Sequence, residues 1–257
     1  MSVQPRKSLG QHFLIDENIL RVIGRLAELS PEDVVLEIGP GLGVLTRHLA
    51  RRVACVHAAE VDRRLASHLE GIERAQVHWG DALRLDIGKL DPPPHKLVAN
   101  LPYNIATPIV VESLAVQQLE LWCVMVQREV AERFFAQPST KAYGAVSVLV
   151  QLATERTGMY PVSREVFRPR PNVESALVAF RRSAPGASSR VKRIVQASFA
   201  HRRKTLANSL ALTGVASRER AVQALATAGR DATIRAEALA PPEFVSLAAA
   251  LEGTAPR

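Results

Sequence analysis

The stretch VVLEIGPGLG, at residues 34–43, is the part of the chain that decides the fold. Its first five residues form a nearly continuous apolar run, which is typical of a strand buried on both faces of a parallel sheet. A turn with three glycines follows, and glycine lets the backbone approach a ligand closely. Helical spacing then predicts a helix over residues 42–51, with its N-terminus at the turn. The stretch therefore predicts a strand, a ligand-binding turn and a helix.

Apolar runs and helical periods continue to alternate after this stretch. A helix is predicted over residues 63–69, and further strands are predicted over residues 53–59, 75–79, 96–99 and 121–127. This alternation predicts an α/β fold, in which a Rossmann-like parallel sheet carries helices on both faces. Ligands of such sheets bind at the carboxyl ends of the strands.

The chain changes character at residues 183–189, where SAPGASS is predicted to be a linker. Strand patterns stop beyond it, and helical periods cover residues 191–210, 217–228 and 242–251. We therefore expect two domains, a Rossmann-like domain at residues 1–183 and a small helical domain at residues 190–257.

The composition indicates a globular protein of the cytoplasm. The chain has 257 residues, of which 47% are hydrophobic, enough for one sizeable core. No apolar run follows Arg6 and Lys7, and none approaches the length of a membrane span, so neither a signal peptide nor a membrane segment is expected. Cys55 and Cys123 lie in apolar runs and are predicted to be buried thiols, and we expect no metal site.

Acidic residues at two strand ends narrow the choice of ligand. The glycine spacing is G-x-G-x-G, with Val44 where a dinucleotide fingerprint needs its third glycine, which argues against a nicotinamide oxidoreductase. Glu60 ends the second strand, where a carboxylate can accept hydrogen bonds from ribose hydroxyls. Asp81 follows the third strand, where it can accept from an adenine amine. Together these features predict an adenosyl pocket.

The tetrapeptide NLPY, at residues 100–103, closes the fourth strand beside that pocket. An amine on an aromatic ring is a poor nucleophile, because its lone pair is delocalised into the ring. Two acceptors for its hydrogens would make the lone pair available: the Asn100 side-chain oxygen, and a backbone carbonyl of Leu101 or Pro102. Pro102 stiffens the turn, and Tyr103 offers a ring on which an extruded base can stack.

The positive charge of the chain is concentrated in one region. The net charge is +8, while residues 164–204 alone contain eleven basic residues and two acids. Such a concentration is typical of a surface that binds the phosphates of a nucleic acid.

These motifs together resemble the ribosomal RNA adenine N6,N6-dimethyltransferases, which modify two adjacent adenines near the 3′ end of small-subunit rRNA. The resemblance rests on six stretches in the same order: LGQHFL (9–14), EIGPGLGVLT (37–46), GDA (80–82), NLPYNI (100–105), FRPRPNVES (167–175) and HRRKTL (201–206). It implies a class I S-adenosylmethionine-dependent methyltransferase with an RNA-binding helical domain.

The resemblance also implies roles for individual residues. The S-adenosylmethionine site is expected to comprise His12, Leu14, Gly39, Glu60, Asp81 and Asn100. Asn is commoner than His at position 12, so a backbone contact is expected there. Phe167 is expected to stack on the target base opposite Tyr103, beside the catalytic turn at residues 100–103. The expected RNA contacts are Arg168, Arg170, Arg202, Arg203 and Lys204.

Two related functions remain open alongside this one. A large-subunit (23S) rRNA adenine methyltransferase of the macrolide-resistance type would share the fold and the pocket. A catalytically silent RNA-binding assembly factor could keep the fold as well. For the first interpretation, the expected partner is small-subunit rRNA or a pre-30S particle, bound by a monomer.

Overall fold

The structure is a computed structural model that describes residues 4–6 and 9–253, so Lys7 lies outside the described residues. The strands are β1 (Phe13–Leu14), β2 (Val34–Ile38), β3 (Cys55–Glu60), β4 (Ala75–Trp79), β5 (Lys96–Asn100), β6 (Leu121–Gln127), β7 (Thr154–Val162), β8 (Phe167–Arg168) and β9 (Ser175–Arg182). Seven strands form one sheet in the order β4-β3-β2-β5-β6-β9-β7, and β1 pairs with β8 separately.

Strands β4, β3, β2, β5 and β6 are parallel, and the prediction of a Rossmann-like sheet is confirmed for this part. The sheet is not parallel throughout, because β9 runs antiparallel to β6. The register places Trp122 opposite Phe180, and their rings stack with centroids 5.4 Å apart. This aromatic pair stabilises the packing of the antiparallel strand β9 against β6.

The helices follow the apolar periods, with different boundaries. They are α1 (Glu17–Leu26), α2 (Val44–Ala50), α3 (Ala66–Leu69), α4 (Ala106–Ser113), α5 (Arg128–Phe134), α6 (Ala145–Ala153), α7 (Ser189–Phe199), α8 (Leu206–Leu212), α9 (Arg218–Thr227) and α10 (Pro241–Gly253). The helix expected over residues 191–210 is in fact two helices. The Thr205 side chain accepts from the Asn208 N–H and begins α8, which separates it from α7.

The described residues form two compact units. The first contains the residues up to Ala131 together with Glu155–Ser183, and the second contains Glu132–Thr154 and the residues from Ala184 onward. This division differs from the expected domains 1–183 and 190–257, because residues 132–154 belong with the second unit. The reason is that α6 packs against α7 and α10.

The core of the first unit lies around β2, β3, β5 and β6. Val35, Val56 and Val98 are fully buried there, and helix α1 contributes Ile19 and Ile23. Cys55 and Cys123 are buried free thiols, as predicted. Within the described residues, no helix is long and apolar enough to cross a membrane.

Candidate active site

A cavity of about 280 Å³ lies at the carboxyl ends of β2, β3, β4 and β5. This volume is close to the lower limit of about 300 Å³ for pockets that hold small molecules. The structure brings together all six residues expected at the cofactor site, since the cavity is lined by His12, Leu14, Gly39, Glu60, Asp81 and Asn100. Four of them come from strand ends that meet at one edge of the sheet, which is where such sheets bind ligands.

The glycine turn allows two other segments to approach the cavity. Gly39 and Gly41 have φ angles of +74° and +58°, in the left-handed region that favours glycine. A Cβ on Gly39 would lie 3.1 Å from the Pro102 ring, and one on Gly41 would lie 2.9 Å from the Phe13 ring. The glycines therefore admit the turn after β5 and the N-terminal segment to the wall of the cavity.

Glu60 is held by three backbone hydrogen bonds. Its Oε1 accepts from the N–H groups of Val61 and Asp62, both at 2.9 Å, and its Oε2 accepts from the Gly41 N–H at 3.1 Å. A carboxylate has about four lone-pair positions, so these bonds fix its orientation and leave room for one further donor. Burial nevertheless raises the pKa of Glu60.

Glu37 is a second acid at this edge of the sheet. Its side chain is 1% exposed and faces the Thr46 hydroxyl, and among the described residues its Oε2 atom has no hydrogen bond of good geometry. Burial, with a contribution from the charge of Glu60, raises the pKa of Glu37 to about 8. Because Glu37 also lines the cavity, a cationic ligand there would favour its charged form.

Asp81 differs from these two acids because it is exposed. Its Oδ1 accepts from the Leu83 N–H at 3.0 Å and caps the 3₁₀ turn Ala82–Arg84. Its Oδ2 lies 4.0 Å from the guanidinium of Arg84. Asp81 therefore has acceptor capacity left at the mouth of the cavity, as a contact to a ligand amine requires.

Asn100 has its amide fixed by the N-terminal segment. The Asn100 Nδ2 donates to the backbone carbonyl of His12 at 2.9 Å. A carbonyl can only accept, so the nitrogen of the amide must face it, and Oδ1 remains available as an acceptor. This is the orientation that holding a substrate amine requires.

The two backbone carbonyls considered as the second acceptor are not equivalent. The Pro102 carbonyl already accepts from the Ile105 N–H at 3.1 Å. No turn or loop hydrogen bond to the Leu101 carbonyl is found in the described part of the chain, while the Leu101 N–H donates to Met125 O at 3.1 Å. Leu101 therefore has the freer acceptor, on a backbone anchored to β6.

Tyr103 is held at both its hydroxyl and its ring. The hydroxyl forms a short hydrogen bond with Ser175 Oγ, and the ring lies against that of His12, with centroids 5.3 Å apart. Burial raises the pKa of Tyr103, so its hydroxyl stays protonated over a wide range of pH. The structure thus fixes a neutral aromatic ring at the wall of the cavity.

Phe167 is not part of this wall. Its side chain is 2% exposed and packs in the core of the first unit with residues such as Leu14 and Ile19. Its strand pairs with β1, opposite Leu14. A stacking role for Phe167 therefore stays a prediction, and it requires the ring to leave the observed position.

Several of the eleven basic residues between 164 and 204 are already paired. Arg170 contacts Glu165 at 3.2 Å, and Arg202 contacts Glu237 at 3.7 Å and donates to Tyr143 O at 3.1 Å. Further ion pairs are Arg164–Glu174, Arg181–Glu28 and Arg190–Glu252. In the described residues, Arg168, Arg193, Arg203 and Lys204 are exposed and show no ion pair. The free positive charge is smaller than the sequence count suggests.

The cavity is also lined by residues that were not expected from the sequence, and Val61 and Gln11 are two of them. Val61 is apolar yet 53% exposed, and it presents apolar surface to the cavity beside Glu60. Gln11 donates from Nε2 to Asp62 Oδ2 at 3.2 Å and ties the N-terminal segment to the end of β3. An apolar residue at a strand end, next to the acid expected to bind ribose, was a signal that could have identified Val61. No local pattern could have identified the contact of Gln11, since its partner is 51 residues away.

The residues of the cavity fit S-adenosylmethionine. This cofactor has a cationic sulfonium and an ammonium group, two ribose hydroxyls and an adenine amine. The cavity provides carboxylates for these groups in Glu37, Glu60 and Asp81, and apolar surface in Val61. The burial of Glu37 beside Glu60 is the clearest sign of fit, because the charges of two neighbouring buried acids are unfavourable together until a cationic ligand offsets them.

Comparison with known proteins gives a consistent family. The family model described as ribosomal RNA adenine dimethylase matches residues 3–248. A protein of Rubrobacter xylanophilus named ribosomal RNA small subunit methyltransferase A is 47% identical, over 95% of this chain and 94% of its own length. A protein of the same name from Moorella thermoacetica is 42% identical, over 96% and 93%.

Solved structures agree in fold. A dimethyladenosine transferase from Plasmodium falciparum has a TM-score of 0.74 at 23% identity, covering 92% of this chain and 96% of its own. The 23S rRNA methyltransferase ErmE has a TM-score of 0.62 at 29% identity, covering 93% and 99%. The family model and the relatives above 40% identity extend over nearly the whole sequence, including the cavity and the turn at residues 100–103. The chain therefore belongs to the ribosomal RNA adenine dimethylase family.

Proposed function

We propose that this chain uses S-adenosylmethionine to convert two adjacent adenosines near the 3′ end of small-subunit (16S) rRNA into N6,N6-dimethyladenosine. The observation that carries the proposal is the orientation of Asn100 beside the adenosyl cavity: its amide nitrogen is held by His12, while its oxygen has no hydrogen-bond partner among the described residues. The choice of the small subunit is supported by relatives at 42–47% identity that are named ribosomal RNA small subunit methyltransferase A.

The reaction depends on the nucleophilicity of the adenine N6 amine. In this proposal, Asn100 Oδ1 and the Leu101 carbonyl each accept one N–H of that amine, which makes the nitrogen pyramidal and frees its lone pair. Pro102 fixes its own φ and keeps the turn stiff. The first transfer leaves a methylated, positively charged nitrogen, which releases one proton to water. The amine then has a single N–H, so one of the two acceptors is sufficient for the second transfer.

The cofactor, when bound, supplies a methyl group on a positively charged sulfur. In this proposal Glu60 holds the ribose and Asp81 accepts from the adenine amine. Glu37 and the Gly39 backbone lie near the sulfonium and ammonium groups of the cofactor. His12 and Leu14 complete the site from the N-terminal segment. Because these side chains are fixed by strands and backbone hydrogen bonds, they contribute chiefly by proximity and orientation.

The target base must leave its stack to enter the site. Tyr103 is proposed to stack on it, since its ring is fixed by Ser175 and His12. Phe167 is proposed as the opposite partner only in a conformation in which it leaves the core.

RNA is the partner that the family implies, and phosphate contacts are proposed for five basic residues. Arg168, Arg203 and Lys204 are exposed and can bind phosphate directly, whereas Arg170 and Arg202 would exchange Glu165 and Glu237 for it. We further propose that the protein acts as a monomer in the cytoplasm, on small-subunit rRNA or a pre-30S particle, during ribosome biogenesis.

The decisive experiment supplies labelled S-adenosylmethionine with unmodified small and large ribosomal subunits and maps the label by primer extension. We expect stops at two adjacent adenines near the 3′ end of the small-subunit rRNA. Label on the large subunit would instead support the macrolide-resistance type of enzyme. Cofactor and RNA binding without any label would support a catalytically silent assembly factor.

A further inference from the structure

We propose that His12 is a positioning residue for methyl transfer, which acts by fixing the backbone segment that orients Asn100. This inference rests on the proposed function, and it assigns to the His12 side chain a role other than contact with the cofactor. It combines three contacts of one residue, made by its imidazole nitrogen, its backbone carbonyl and its ring.

The first contact ties His12 to the segment after β8. His12 Nδ1 lies 2.8 Å from the Pro169 carbonyl oxygen. Because a carbonyl can only accept, Nδ1 carries the proton and donates. This bond joins residues that are 157 positions apart in the sequence.

The register explains why a side chain is needed at this point. Strands β1 and β8 pair Leu14 with Phe167 and Phe13 with Arg168, which brings His12 opposite Pro169. Proline has no N–H, so Pro169 cannot donate the next backbone hydrogen bond of this strand pairing. The imidazole N–H of His12 reaches the Pro169 carbonyl in place of a further ladder bond and extends a pairing only two residues long.

The second contact transmits this anchoring to the catalytic turn. The His12 carbonyl accepts from Asn100 Nδ2 at 2.9 Å, and this bond sets which end of the amide faces the cavity. If the carbonyl moved, the amide could rotate and present its nitrogen to the substrate amine, and two donors cannot bond. Placement errors of about 1 Å are enough to slow a reaction that depends on orientation.

The third contact concerns Tyr103. Its ring lies beside the imidazole of His12, tilted by 33°, with 5.3 Å between the centroids. His12 is thus in contact with both Asn100 and Tyr103 and links them to Pro169. Loss of its side chain would loosen both groups while leaving Glu60 and Asp81 in place.

The test compares kcat, KM for RNA and the separately measured Kd for S-adenosylmethionine in His12→Ala, His12→Asn and His68→Ala. We expect His12→Ala to lower kcat by about tenfold and to change the Kd by less than about threefold. His12→Asn should recover most of the kcat, because its amide N–H can also donate to Pro169. His68 lies outside the cavity, so His68→Ala serves as the matched control and should behave as wild type.

A double-mutant cycle separates action through Asn100 from an independent effect. If His12 acts through Asn100, adding His12→Ala to Asn100→Ala should lower kcat little further. The proposal would be overturned by wild-type kcat in His12→Ala, by equal losses in the alanine and asparagine variants or in the His68 control, or by an undiminished effect on the Asn100→Ala background.

A measurement without turnover distinguishes this inference from the proposed function. The side-chain amide of Asn100 can be observed by NMR and assigned by its disappearance in Asn100→Ala. We expect its signal to be sharp in the wild type and in His12→Asn, and shifted or broadened in His12→Ala. An unchanged signal would overturn the role of His12 even if the protein methylates rRNA, and a changed one would support it even if the substrate proved to be different.

Discussion

At the residue scale, the properties of the site depend on single polar groups of Asn100 and Glu37. In Asn100 the amide nitrogen is bonded to the His12 carbonyl, and the amide oxygen is left available as an acceptor. Glu37 is buried beside Glu60, and among the described residues its Oε2 has no hydrogen bond of good geometry, although the Thr46 hydroxyl faces the carboxyl. The first arrangement fixes a geometry, while the second stores an unfavourable interaction that a ligand can relieve.

Substitution of Asn100 tests the first arrangement. We expect Asn100→Ala to keep cofactor binding and to lower methylation by at least about tenfold, or about 1.4 kcal/mol of transition-state stabilisation. Asn100→Asp should show a similar loss, because a carboxylate retains acceptors but cannot donate to the His12 carbonyl. Single-turnover rates with saturating S-adenosylmethionine provide the measurement. Wild-type rates in the aspartate variant would contradict the need for a donor at this position.

The pH dependence of stability tests the second arrangement. Burial raises the pKa of Glu37 to about 8 in the folded protein, compared with an ordinary value of 4.5 for an exposed glutamate. Between these values the folded state holds a proton that the unfolded state has released, so stability falls as the pH rises through this window. The slope is at most about 1.4 kcal/mol per pH unit.

Glu37→Gln removes this titration while keeping a similar shape. We expect the Tm of the wild type to fall more steeply than that of the variant from about pH 5 to about pH 8. Parallel curves for the two proteins, recorded without cofactor, would show that Glu37 is charged in the folded state.

At the element scale, the glycine turn between β2 and α2 determines how closely neighbouring segments approach the cavity. Gly41 needs a left-handed backbone and also lies against the Phe13 ring, whereas Gly71 has a φ of +75° with nothing within 4 Å of its Cβ position. Alanine at Gly71 would therefore introduce backbone strain alone, whereas alanine at Gly41 would also push the turn and the Phe13 ring apart.

Gly41→Ala and Gly71→Ala form a matched pair. Backbone strain should cost each variant about 1 kcal/mol of stability. Only Gly41→Ala should also displace Phe13 and weaken S-adenosylmethionine binding, by about tenfold, equivalent to about 1.4 kcal/mol. Thermal unfolding and cofactor titration give the two quantities. Equal cofactor affinity in both variants would show that the approach of Phe13 is not needed.

The elements that could be predicted are those whose pattern is set by local burial. Strands β2, β3 and β6 are continuous apolar runs, and each was predicted to within about two residues. Strand β7 was not predicted, because most of its residues are exposed and its sequence shows no alternation. The two-residue strands β1 and β8 depend on each other across the chain, so no local pattern identifies them.

The same distinction holds for the site. Acids at strand ends and the turn at residues 100–103 could be located from sequence, because parallel strands end at a common edge. The orientation of the Asn100 amide could not, since it is set by a backbone carbonyl 88 residues away. The burial of Phe167 was also unpredictable, because it follows from the pairing of β8 with β1.

At the scale of the whole molecule, the sequence predicted how many basic residues the chain has, but not which of them are engaged in ion pairs. Ion pairs with Glu174, Glu165 and Glu237 engage arginines that the sequence presented as free. The extent of the second unit was also not predictable. The helix at residues 145–153 lies in the sequence between two segments of the first unit, yet it belongs to the second. Arg203 and Lys204 remain as exposed charges in a turn of the second unit.

Charge reversal at this turn tests its part in RNA binding. We expect Arg203→Glu with Lys204→Glu to weaken RNA binding and to flatten its dependence on salt, by up to about two units in the slope of log K against log salt. Arg51→Glu with Arg74→Glu makes the same change of charge beside another cavity of the first unit, and should alter the slope less. Equal slopes for the two double variants would show that only net charge matters.

The pairing of β1 with β8 has a consequence for the order in which the protein is made. Residues 12–14 leave the ribosome early, yet their partners at residues 167–169 follow more than 150 positions later. A growing chain that already contains β2 to β5 has the acids and the glycine turn but lacks the contacts that hold His12. The site is therefore completed late in synthesis, because residues 12–14 cannot be fixed in place until residues 167–169 have been made.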